Sequence, residues 1–241
     1  MNNATVPPDE GPTNGGVDTA AAATREPEPA AAPPAGPAPN TAVGGGETEL
    51  TVDYPARSSR VWALLYLLFG IKVLVMIVHG VVLGVLGIAA FFVFVVAQAI
   101  VLFTGRMPEG MHRFQVGVLA QANKISAWVY GLTDTLPPFA PSADPCAVET
   151  TVGRPASSSR LWALLNILWL KPLAALPHVI VLYVLAIASA VVVFIAQIMI
   201  LATGTFPRGM FDFVVGVMRW QTRVNAWVLG LRDEYPRFSL E

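Results

Sequence analysis

A lysine followed by a histidine, Lys72 with His79, recurs as Lys171 with His178, each pair beside a long uncharged apolar stretch. Ionisable groups next to a membrane segment could handle a proton or hold an anionic ligand. The bland alternative is architectural. The lysine stem lets its ammonium snorkel to the far interface of a membrane, and the histidine sits neutral at a helix start. Gln98 and Gln197 lie inside the apolar stretches, where an unpaired amide is costly and finds a partner on another helix; a substrate contact is the rival role.

These residues are positioned by a duplication. Residues 55–65 align with 155–165 at an offset of 100, and from Lys72 onward the offset is 99. The match runs through Thr104-Gly105/Thr203-Gly204, Pro108/Pro207, Gly117/Gly216, Trp128/Trp227, Asp134/Asp233 and Pro137/Pro236. Such collinearity marks a tandem repeat. Each copy opens with a short, weakly alternating segment such as 49–53, which reads as extended. A short apolar segment follows (59–71, 159–170), then a long one without charge (80–103, 179–202). Twenty-four helical residues rise about 36 Å, enough for a bilayer core of about 30 Å. In the second copy Pro172 and Pro177 break or kink any helix that continues past Lys171.

The last part of each copy starts at Pro108 or Pro207. In copy two Arg208, Asp212, Gly216, Arg219 and Arg223 draw one polar stripe, opposite Phe211, Phe213, Trp220 and Trp227. That pattern predicts an amphipathic helix with Phe211, Phe213, Arg219, Trp220, Arg223 and Trp227 as interfacial anchors; packing of the same face on the protein's own helices is the equal alternative. Copy one carries His112, Gln115 and Gln121 at matching places, which predicts a weaker grip on lipid.

Reactive signatures are few. The chain has three histidines and no His-x-x-x-His pair, so a metal site has little support. Glu109 and His112 stand one turn apart, but copy two has Arg208 and Phe211 there, so the pair reads as a solvated face. Ser59 and Ser159 precede helix starts and read as caps. No nucleophile elbow, Walker loop or dinucleotide fingerprint occurs, and no cofactor is implied. Cys146 is the single cysteine, which rules out an intrachain disulfide.

A hydrophobic fraction of 54% with 13% charged residues exceeds the soluble norm and points to lipid as solvent. Residues 1–50 hold seven acids against one base and are rich in Ala, Pro and Gly, so they read as a flexible acidic tail; the remainder holds fourteen bases against nine acids. The bases are scattered at segment ends, which argues against nucleic acid as a partner. If each copy crossed a bilayer once, the bases would divide eight to six between the faces. If each copy enters and returns, twelve lie on one face and only Lys72 and Lys171 at the apices, which the positive-inside rule favours, with both termini cytoplasmic. Whether the short arm spans with a kink or re-enters at half depth stays open.

The strings Pro177-His178-Val179, Thr203-Gly204 with Pro207-Arg208-Gly209, Phe211-Asp212-Phe213, Arg219-Trp220-Gln221 and Tyr235-Pro236-Arg237-Phe238 resemble a bacterial family of membrane proteins, the domain-of-unknown-function 4389 family. The resemblance covers nearly all of copy two. Copy one departs at Val78, His112-Arg113 and Leu136. It implies a membrane domain and no activity. The expectation is therefore an all-α integral membrane protein: a tail (1–46), then two repeats (47–141, 147–241), each a hairpin of a short, spanning or re-entrant arm and a long transmembrane helix, followed by an amphipathic interfacial helix. It is expected to be a multi-pass protein of the cell membrane, a non-enzymatic scaffold or partner-binding module. Its partners would be membrane lipids and another membrane protein or a second copy; a small transporter or channel subunit is the alternative, and a lipid-modifying enzyme ranks third.

Overall fold

Residues 47–68, 70–139 and 147–241 are described by the computed structural model, with residues 70, 71 and 73 described by backbone alone. The expected tail (1–46) and the loop at Cys146 lie outside the described residues.

Each copy begins as a strand and a short capped helix. In copy one these are β1 (Thr48–Val52) and α1 (Arg60–Leu67); in copy two they are β2 (Val148–Val152) and α4 (Arg160–Ile167). The Ser59 and Ser159 hydroxyls accept from the amides of Trp62 and Trp162, satisfying donors that a helix start leaves free. Asp134 and Asp233 accept from the Ser59 and Ser159 amides at 2.7 Å, so a negative charge also faces each positive helix end.

The long helices differ between the copies. In copy one α2 (Gly70–Thr104) runs unbroken for 35 residues, about 52 Å. In copy two a five-residue turn of helix, α5 (Leu170–Ala174), is separated from α6 (Leu176–Thr203). Pro177 near the start of α6 accounts for the break, because its ring removes a donor and clashes with the preceding turn; Val78 holds the matching place in α2. The short arm expected over 59–71 is therefore only eight residues long, and residues 70–79 belong to the long helix. Last come α3 (Glu109–Val129) and α7 (Arg208–Val228).

The expectation of an all-α chain is corrected by the two strands, which pair antiparallel with Leu50 opposite Thr150. The fold is otherwise mostly helical, and two helices, Leu74–Thr104 and Leu176–Thr203, are long and apolar enough to cross a membrane. Packing crosses between the copies: α1 lies on α6, α4 on α2, β1 on α7 and β2 on α3. The amide of Ser58 donates to Gly204 at 3.0 Å and that of Ser158 to Gly105 at 2.9 Å, tying each short helix to the end of the other copy's long one. Two of the apolar clusters draw on both copies, joining Leu50, Ala63 and Leu132 to Val193 and Phe211 in one, and Ala97 and Leu119 to Ala163 and Leu231 in the other. The third, around Trp220 and Trp227, belongs to copy two.

Candidate functional site

The four ionisable candidates sit where the start of a long helix meets the end of an amphipathic one. Lys72 is buried and its Nζ donates to the Trp128 carbonyl at 3.2 Å, at the negative end of α3. It lies 4.9 Å above the Trp128 ring centre and 5.4 Å from that of Tyr66. Lys171 is wholly buried, 4.7 Å above the Trp227 ring and 5.6 Å from Trp162, and its Nζ has no hydrogen-bond partner among the described residues. Each indole pair meets edge to face, Trp62–Trp128 at 5.5 Å and Trp162–Trp227 at 5.3 Å. Burial pushes both ammonium groups down to about 8, with Asp134 and Asp233 pulling the other way. Snorkelling of either lysine is thereby corrected: the ammonium turns inward onto aromatic faces, where a desolvated cation gains most.

His79 and His178 are held by different partners from the lysines. The ring of His79 stacks on Phe139 at 4.5 Å, with its nitrogens 3.0 Å from the carbonyls of Val75 and Pro137. His178 stacks on Phe238 at 3.9 Å and touches Tyr235 at 4.9 Å. Trp220 Nε1 donates to its Nδ1 at 3.1 Å. An indole nitrogen only donates, so Nδ1 is the acceptor and Nε2 carries the hydrogen. That Nε2 is buried without a partner among the described residues. Rings link the two halves of this centre, since Tyr235 lies 5.1 Å from Trp227, the indole under Lys171. Copy one has Leu136 in place of Tyr235.

Gln98 and Gln197 clamp one copy to the other. Gln98 Nε2 donates to the Leu229 carbonyl at 3.3 Å and Gln197 Nε2 to the Tyr130 carbonyl at 3.4 Å, closing the ends of α7 and α3. The next residues, Gly230 and Gly131, have φ of +71° and +72°, and a Cβ on either would collide with the glutamine amide. Sequence reading gave these two glycines no role, although both recur at the offset of 99.

The interfacial anchors also need correction. Phe211, Trp220 and Trp227 are buried inside the protein, and Phe213 packs half-buried against the shared core. Arg219 Nε donates to the Leu50 carbonyl at 2.8 Å, and Arg223 donates to the carbonyls of Ser239 and Glu241. Gly216 permits this last approach, because a Cβ there would stand 2.8 Å from the Leu240 carbonyl oxygen. In copy one His112, Gln115 and Gln121 are buried too. Gln115 Nε2 donates to Ala90 O at 2.7 Å and Gln121 Nε2 to Pro138 O. Burial, helped by Arg154, pushes the His112 imidazole down to about 4. Glu109 alone faces solvent, paired with Arg113 at 2.6 Å, so the Glu109–His112 face is not a solvated unit.

A duplicated helical unit, with one lysine–indole box inside each copy and two helices long enough for a bilayer, defines the class of the protein. The chain belongs to the domain-of-unknown-function 4389 family, whose profile matches residues 67–140 and 166–239, once in each copy. Among curated proteins and solved structures nothing matches. The strand and the start of the short helix in each copy, through which the copies clasp each other, lie upstream of the matched segment of that copy.

Proposed function

We propose that the protein is a membrane-embedded scaffold in which two re-entrant units, clasped crosswise, present apolar helix faces to lipid and to the helices of a partner. One observation carries this reading. The lysines, histidines and glutamines that could have done chemistry are buried against rings and backbone carbonyls, while α2 and α6 keep most of their apolar surface outward. Exposed apolar area of that extent marks a lipid or protein contact. The pairing of β1 with β2 supports a return of each copy to one side, since paired strands share an aqueous face. The eight residues of α1 rise about 12 Å, which favours a re-entrant arm over a spanning one. The excess of bases on that side makes it the cytoplasm, with both termini there.

Two measurements test the reading. Labelling of Cys146 in intact cells by an impermeant thiol reagent should fail until the membrane is permeabilised; strong labelling beforehand overturns the topology. For the function, a photo-crosslinker placed at Val85 or Val184 in native membranes should give a discrete protein adduct, and the purified chain in vesicles should pass no protons or anions. Flux that disappears in both Lys171→Arg and His178→Gln, with the protein still folded, would instead establish a transporter.

A further inference from the structure

A cavity of about 430 Å³ lies between α2, α3, the α4–α5 turn and the end of α7, within the size range of small-ligand sites, roughly 300–1,000 Å³. Its walls are Leu83, Gly87 and Phe94 from α2, Leu119 from α3, and Val228 and Leu229 from α7, and no charged side chain lines it among the described residues. Three amides, Gln115, Asn166 and the half-buried Asn225, interrupt this apolar lining. Gln115 is 1% exposed and Asn166 is 2% exposed, and Gln115 Oε1 and Asn166 Oδ1 are buried without partners among the described residues.

The orientation of Gln115 and Asn166 follows from backbone carbonyls, which can only accept. Gln115 must turn its NH2 to Ala90 O, 2.7 Å away, and so leaves its oxygen free. Gln98 must turn its NH2 to Leu229 O, so its Oε1 accepts from Asn166 Nδ2 at 3.3 Å, and Asn166 in turn leaves its oxygen free. Two acceptors thus stay without donors in the wall of an uncharged cavity. At its rim Phe91 and Trp169 line the cavity while keeping 45% and 62% of their surface outside, which puts the mouth on the apolar outer face of α2. Trp169 has φ of 57°, a backbone region that bulky residues rarely adopt, and the turn it makes brings its ring 6.3 Å from that of Phe91.

The other half of the molecule carries different side chains at the corresponding place. Tyr66 stands where copy two has Asn166, Tyr130 where it has Leu229, and both pack against a cluster containing Val193 and Val214, the latter matching Gln115.

We propose that this cavity is a binding site for a neutral lipid with a hydroxyl-bearing headgroup, of the monoacylglycerol kind. Its hydroxyls donate to Gln115 Oε1 and Asn166 Oδ1 while its chain leaves between Phe91 and Trp169 toward the bilayer. A charged headgroup is disfavoured, because no counter-charge lines the space to offset its desolvation. The site deepens the scaffold reading and rests on its placement in lipid.

The test is photolabelling of the purified full chain in detergent by monoolein carrying a diazirine in its acyl chain. Saturable labelling is expected on residues 83–94 and 118–122, displaced by unlabelled monoolein and not by oleate. Gly87→Phe should abolish it without unfolding, since a Cβ at Gly87 meets nothing within 4 Å and the ring then enters the cavity. Gln115→Leu should weaken it roughly tenfold, the order carried by one hydrogen bond left unmade. Undiminished labelling of folded Gly87→Phe, equal displacement by oleate, or unsaturable labelling spread over α2 and α6 would overturn the site. Cys146 labelling is read separately, so failure of the cavity and failure of the membrane placement give different results.

Discussion

The two copies bury the same positions with different chemistry. Where copy two has Phe211, Val214 and Trp220, copy one has His112, Gln115 and Gln121, and all six side chains are inside the protein. Trp220 and Gln121 each donate one hydrogen bond, but to different acceptors, His178 Nδ1 in one copy and the Pro138 carbonyl in the other. The lysines diverge in the same sense. Lys72 has a carbonyl and Lys171 has only rings. A polar residue on an amphipathic helix is thus no sign of a water face when the rest of its own copy supplies acceptors opposite it.

The largest effects should come from the indoles beneath the lysines. Replacing a buried tryptophan with alanine typically costs about 3–5 kcal/mol. Trp227→Ala should fall at or beyond the upper end, because it also strips the ring from an ammonium that has no hydrogen bond. Trp128→Ala should cost less, since Lys72 keeps the backbone carbonyl of residue 128. Thermal unfolding in detergent measures both, and equal losses would break the contrast between the copies.

A pH effect should separate the copies next. Burial holds His112 neutral down to about 4, whereas the unfolded chain takes up a proton near 6.5. The unfolded state therefore binds more protons between these values, and stability should fall as pH drops from 6.5 to about 4 and level off below. His112→Phe, which installs the copy-two residue, should flatten that decline in the melting temperature. An unchanged slope would mean that His112 is not the group responsible.

The smallest expected effect concerns the lysines themselves. Lys171→Met should stay within about 1 kcal/mol of the original, because loss of the cation over its rings is offset by removal of an unpaired buried charge. Lys72→Met should lose about 1–2 kcal/mol, as Trp128 O forfeits a charged donor. Both lysines release their protons near 8 in the fold and near 10.5 when unfolded, so stability should rise with pH across that interval. Each variant should reduce the rise, and melting curves at pH 8 and 10 measure it. A costlier loss at Lys171 would reverse the comparison.

Much of the local structure was legible in the residues. The offsets of 100 and 99 reveal the duplication, the uncharged runs reveal the long helices, and Ser59 and Ser159 reveal the helix starts. The break ahead of α6 follows from Pro177. The helix starts and the break are settled by groups within one or two turns of each other, where spacing alone reports the physics. What covers each face is another matter. Leu50 meets Arg219, Gln98 meets Leu229, and Thr222 meets Asn123, contacts between residues about 100 to 170 apart in the chain. The hydrophobic effect has no direction, so the stripe of Phe211, Trp220 and Trp227 would suit a bilayer or a protein core alike. Only the tertiary packing, within each copy and across the two, turns it inward, brings each lysine over the indoles of its own copy, and leaves an amide-lined cavity where the other half carries Tyr66 and Tyr130.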